Sequence, residues 1–150
     1  MALQSWSAAA SGDEESPHGG SGEVAAEKLL VLVVEDDEHL RMAICEALED
    51  ESYRAVGAHN GLHALAQLQE LPRPNLIILD LMMPVMNGWD FHAHLKANPN
   101  LASVPVLLLS AFVQRDTHTG PKDVAGALQK PVSVNDLLSW VRRLAIRLKR

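Results

Sequence analysis

Cysteine is nearly missing from this chain. Cys45 is the only one in 150 residues, which excludes an internal disulfide framework and any metal site built from several thiolates. Long apolar runs are missing too. Stretches such as Leu76–Leu79 and Val104–Leu109 fall far short of the roughly 20 residues that cross a bilayer. Met1–Ala10 lacks a basic start and an apolar stretch, so it does not read as a secretory signal. Nor is there the overall basic excess that nucleic-acid binders carry. A cytoplasmic protein with no membrane contact and no direct DNA binding is expected.

What charge there is lies unevenly. Residues 1–27 hold Asp13, Glu14, Glu15, Glu23 and Glu27 with no Lys or Arg, a balance of −5. Residues 28–150 hold 13 basic and 14 acidic side chains, a balance of −1. The last nine residues carry Arg142, Arg143, Arg147, Lys149 and Arg150 and no acid. These could meet an acidic partner, or simply compensate the last turns of a helix. Residues 1–27, rich in Ala, Ser, Gly and Glu with Trp6 as the one large side chain, are expected to form a disordered acidic tail. The remainder, 28–150, has the length and apolar content of one globular domain.

From Lys28 the pattern becomes regular. Leu29–Val34 is a continuous aliphatic run, the mark of a strand buried on both faces. Leu40, Ile44, Ala47 and Leu48 follow at helical spacing, then a short strand over Tyr53–Ala58 and a helix from Leu62 to about Glu70 after the Asn60-Gly61 break. Leu76–Leu79 reads as a third strand ending at Asp80, and Trp89–Ala97 as a helix after Asn87-Gly88. Pro105–Leu109 forms a fourth strand ending at Ser110, Ala127–Gln129 a fifth ending at Lys130, and Val134–Lys149 an amphipathic helix. Residues 111–126 resist assignment because Gly120-Pro121 interrupts any helix there. Such alternation argues for an α/β fold, a parallel sheet covered by helices on both faces, with ligands beyond the carboxyl ends of the strands.

Those ends carry Glu35, Asp36, Asp80, Ser110 and Lys130. Clustered carboxylates repel one another, and a hard divalent cation such as Mg²⁺ relieves them while leaving room for water and phosphate oxygen. Ser110 adds a hydrogen bond and Lys130 a point charge. Together these are the parts of a phosphoryl-transfer site whose nucleophile is a carboxylate.

The segments VLVVEDDEHLR, PNLIILDLMMPVMNGWD, VPVLLLSA and LQKP resemble the receiver domain of two-component response regulators, of the stand-alone single-domain type. That resemblance implies a flavodoxin-like, doubly wound sheet of five strands in the order 2-1-3-4-5. It makes Asp80 the phosphoacceptor for a phosphohistidine on a sensor histidine kinase or phosphotransfer protein. Asp36 binds Mg²⁺ directly, Glu35 through water, the Met82 backbone carbonyl supplies a third ligand, and Asp80 also belongs to the metal set. Ser110 is the switch hydroxyl, Lys130 pairs with the phosphate, and the Lys130–Pro131 bond is cis. Two positions depart from the family: Ala127 stands three before the lysine, where an aromatic ring is usual, and Thr119-Gly120-Pro121 falls where the fourth helix belongs. That helix is expected to be short or irregular.

With no output domain read after the last helix, the expected function is a phosphoacceptor that signals to a downstream protein partner, assisting its own chemistry rather than acting as an enzyme. The alternative is a receiver-like interaction module largely independent of phosphorylation. A haloacid-dehalogenase-type hydrolase would need an acid where Met82 stands, and a Ser–Lys hydrolase would leave the carboxylates without a role. His59 and His63 straddle the Asn60-Gly61 break, which speaks against a metal pair; His92 and His94 fall on different sides of their helix, and Cys45 lies among apolar positions.

Overall fold

A computed structural model describes residues 28–111 and 123–148. The expectations for the tail and for the Thr119-Gly120-Pro121 stretch fall outside these residues. In chain order the elements are β1 (Leu30–Val34), α1 (Glu38–Asp50), β2 (Arg54–Ala58), α2 (Gly61–Glu70), β3 (Leu76–Asp80), α3 (Gly88–Ala97), β4 (Val106–Ser110), β5 (Gly126–Gln129) and α4 (Val134–Leu148). All strand pairs are parallel and the order is β2-β1-β3-β4-β5. Among the described residues the five predicted strands and four of the predicted helices are present, with ends moved by a residue or two.

The aliphatic strands are buried along their whole length because each face meets helices. Leu32, Val34, Ile77, Leu79, Val106 and Leu108 face one core with Ala64, Phe91 and Leu95 of α2 and α3. The alternate residues Val31, Val33, Ile78, Leu107 and Leu109 face a second core with Ile44, Leu48, Leu137, Val141 and Leu144 of α1 and α4. Period-2 alternation thus serves two apolar layers, which is why no polar face is visible in these strands. Among the described residues no helix is long and apolar enough to cross a membrane.

Both Asn-Gly pairs were read as breaks and turn out to be helix starts. Asn60 and Asn87 are N-caps whose side chains accept from the amides of His63 and Asp90, satisfying donors that a first turn leaves orphaned. The glycines after them have no positive φ; they are needed for close approach. A Cβ at Gly61 would lie 2.8 Å from Met86 Cγ, and one at Gly88 would lie 2.6 Å from the Asp80 carbonyl oxygen and 2.7 Å from Leu81 Cα. Gly88 therefore seats α3 directly on the carboxyl end of β3.

Candidate phosphoryl-transfer site

The registers bring the strand ends to one edge. Glu35 follows β1 and its N–H donates to the Ala58 carbonyl at 3.0 Å; Lys130 follows β5 and its N–H donates to the Ser110 carbonyl at 2.8 Å. Asp80 pairs with Leu109, and Ser110 with Gln129. Between these ends Glu35, Asp80 and Ser110 are buried, at 0%, 1% and 4% exposure, while Asp36 faces solvent.

One carboxylate oxygen from each of Glu35, Asp36 and Asp80 lies within 4.8 Å of the others. Lys130 Nζ sits 3.0 Å from Glu35 Oε1 and 3.3 Å from Asp80 Oδ2, and it donates to Glu35 Oε2 at 3.1 Å. The ammonium is thus in ionic contact with both buried acids but aligned for a hydrogen bond only with Glu35 Oε2. Glu35 Oε1 and Asp80 Oδ2 are left without an aligned donor. Backbone amides complete the cradle: Asp37 N–H donates to Glu35 Oε2 at 3.1 Å, and Met82 N–H to Asp80 Oδ1 at 3.1 Å. Met82 itself points its side chain to solvent, 53% exposed. Lys130–Pro131 is cis.

Three carboxylates face one ammonium, and the proton affinities show the surplus. Burial pushes Glu35 up to about 7, against the Asp37 amide, with the Asp80 charge adding to the rise and Lys130 opposing it. Burial likewise raises Asp80, opposed by the Met82 amide and Lys130 and reinforced by a hydrogen bond with Asp36. Burial alone would lower Lys130, but its hydrogen bond to Glu35 and the charges of Glu35 and Asp80 outweigh it and hold it above its ordinary value. Two buried oxygens lacking aligned donors beside a solvent-facing third carboxylate are a donor set that suits a hard divalent cation.

These features on a β2-β1-β3-β4-β5 sheet match the response regulator receiver domain over residues 31–142. The chain belongs to that family. It is 38% identical over 111 residues to the transcriptional regulatory protein PdtaR of Mycobacterium tuberculosis, covering 72% of this chain and 52% of that protein. To the phosphate regulon transcriptional regulatory protein PhoB of Escherichia coli it is 33% identical over 123 residues, covering 79% and 52%. The chain thus spans about half the length of these curated relatives. The solved chemotaxis response regulator CheY4 of Vibrio cholerae superposes with a TM-score of 0.73 at 29% identity, covering 79% of this chain and 99% of that one.

Within the receiver, Ala127 pairs with Leu108 on β4 and is half-buried against the α2–α3 core. Its neighbour Gly126 lies under the indole of Trp140, whose Cζ3 is 2.4 Å from where a Cβ would stand. Trp140 is thus half-buried on β5. His59 and His63 stand side by side across the Asn60-Gly61 pair, with ring centroids 4.2 Å apart. Since α2 starts at Gly61, His63 turns back over the loop; its Nδ1 accepts from the His59 amide and its Nε2 meets Gln67 Nε2. His92 is buried and His94 exposed, and burial pushes the Cys45 thiol up to about 11, leaving it inert.

Arg41 escaped the sequence reading. Its Nη1 donates to the Glu35 carbonyl at 2.8 Å, and its methylenes lie 3.1–3.2 Å from where a Cβ would stand on Gly57. No local pattern marks a residue that acts across a helix onto a neighbouring strand.

Proposed function

We propose that this receiver takes a phosphoryl group on Asp80 from a phosphohistidine of a sensor histidine kinase or phosphotransfer protein, and signals by contact with a downstream protein. The reading is carried by one observation: the buried Asp80 carboxylate, held by the Met82 amide at 3.1 Å, has Lys130 Nζ 3.3 Å from its other oxygen. An Asp80 oxygen attacks phosphorus, the P–N bond breaks, and its electron pair remains on the imidazole nitrogen. Asp80 becomes an acyl phosphate.

Little covalent assistance is needed, because such transfers depend on positioning and charge stabilisation. Lys130 is placed to pair with the incoming phosphoryl oxygens, and Ser110, at the end of the adjacent strand, supplies a hydrogen-bonding hydroxyl. Asp36 and the Met82 carbonyl would hold Mg²⁺ directly and Glu35 through water, since Lys130 already engages both Glu35 oxygens. Bound there, Mg²⁺ supplies positive charge to the phosphoryl oxygens.

Ala127 favours a second reading, an interaction module independent of phosphorylation, because its methyl group has no ring to reorient. Intact-mass measurement after incubation with acetyl phosphate and Mg²⁺ separates the readings. A labile phosphoryl adduct, absent when the metal is chelated, is expected. No adduct would favour the interaction module, and sustained multiple turnover would indicate a hydrolase.

A further inference from the structure

Glu35 and Asp36 sit on a short stretch of backbone just beyond β1. Glu35 keeps one tie to the sheet, its N–H on the Ala58 carbonyl at 3.0 Å. Among the described residues no backbone N–H donates to its own carbonyl. The donor there is a side chain, Arg41 Nη1, at 2.8 Å. A peptide unit is planar, so fixing that oxygen fixes the plane between Glu35 and Asp36. The next plane is anchored as well, because the Asp37 N–H donates to Glu35 Oε2 at 3.1 Å while the Asp37 side chain caps α1 through the Leu40 amide. Asp36, itself exposed, therefore leaves the backbone in a direction set by its two flanking planes.

Arg41 reaches the carbonyl over β2. Its Cδ and Cγ lie 3.1 and 3.2 Å from where a Cβ would stand on Gly57, so any larger residue there would push the stem aside. Its backbone N–H donates to the Asp37 carbonyl at 2.9 Å, which ties the base of the side chain to the first turn of α1. Arg41 makes no ion pair among the described residues. Ion pairing thus does not account for where the guanidinium sits.

We propose that Arg41 is a positioning residue for the metal site: by holding the Glu35 carbonyl it sets the Asp36 carboxylate for Mg²⁺. This rests on the reading above in which Asp36 ligates Mg²⁺ directly. Charge and position predict opposite signs. A fixed cation beside the cluster repels a second one, so a contribution of charge alone means that removing Arg41 tightens Mg²⁺ binding. A contribution of position means that removing it weakens binding.

Calorimetric Mg²⁺ titration of the unphosphorylated protein tests this at pH 8, above the value of about 7 to which burial lifts Glu35. Arg41→Met keeps an apolar stem and loses the donor. It is expected to bind Mg²⁺ roughly tenfold more weakly, the usual cost of losing a group that orients a metal ligand. Gly57→Ala displaces only the stem; it should weaken binding severalfold in the unaltered protein and add nothing to Arg41→Met. With acetyl phosphate, the Mg²⁺ concentration giving half the maximal labelling rate should rise in Arg41→Met while the maximal rate is kept. Unchanged or tighter binding in Arg41→Met would overturn the proposal, and so would a lower maximal rate at unchanged half-saturation, which marks a merely structural residue. Should Arg41→Met not fold, Gly57→Ala decides alone, with unchanged binding the contrary result. Asp36→Ala in the same titration separates the two levels of failure. If it binds Mg²⁺ as the unaltered protein does, Asp36 is not a ligand and the reading falls together with the proposal; if only Asp36→Ala weakens binding, the proposal alone falls.

Discussion

Glu35 has no solvent exposure and both its oxygens lie against Lys130, yet burial still lifts its pKa to about 7 from 4.5. A raised folded pKa means that protonated Glu35 stabilises the metal-free fold at low pH, and that this contribution is lost as pH rises through about 7. Metal binding selects the opposite state, because Mg²⁺ requires the ionised cluster. Mg²⁺ affinity measured by calorimetry is therefore expected to fall roughly tenfold per pH unit below about 7, and Glu35→Gln to flatten that dependence. A wild-type affinity independent of pH between 5.5 and 7.5, on a scale where ordinary Glu titrates near about 4.3, would contradict the confinement described for Glu35. Of the adjoining groups, Asp80 is raised chiefly by burial, and Lys130 by the two carboxylates it meets.

At the scale of elements, α3 is held to the site by what Gly88 lacks. Gly88→Ala would drive a methyl group into the Asp80 carbonyl and Leu81, at a cost of about 1–3 kcal/mol for overpacking. Because the collision is with the backbone of Asp80, the proposed acceptor, slower phosphorylation should accompany the lower midpoint in urea; loss of stability at an unchanged phosphorylation rate would separate Gly88 from the site. Gly126 and Trp140 form a second such pair. Gly126→Ala is expected to cost about 1–3 kcal/mol, and much less in a Trp140→Leu background, where no ring opposes it. Equal costs in both backgrounds would refute the contact. Neither glycine is legible as a packing residue in the sequence, because the atoms each one meets are brought to it only by the fold, and Asn87-Gly88 imitates a turn. The strands were legible because burial on both faces leaves only aliphatic residues, and the site because each such run stops abruptly at a polar residue.

For the whole molecule, the sheet divides two cores and gathers its chemistry at one edge, so a signal from Asp80 must cross one of the layers. Ala127 gives no aromatic route. The route expected instead is the connection between β4 and β5, whose described end, Asp123, is held to α3 by the Lys96–Asp123 ion pair at 2.7 Å. Hydrogen exchange with and without beryllofluoride is expected to change in this connection and at the end of α3; changes confined to the surroundings of Asp80 would exclude the route. The sequence leaves residues 111–126 without an assignment, since Gly120-Pro121 interrupts any periodic pattern, and 112–122 lie outside the described residues. The central claim, that Asp80 accepts the phosphoryl group, is open to a direct chemical assay. Borohydride reduces an aspartyl phosphate to homoserine, so protein treated with acetyl phosphate and Mg²⁺, reduced and sequenced by mass spectrometry should carry homoserine at position 80, and Asp80→Asn should carry none. Homoserine at another position, or an adduct of unchanged yield in Asp80→Asn, would contradict the account.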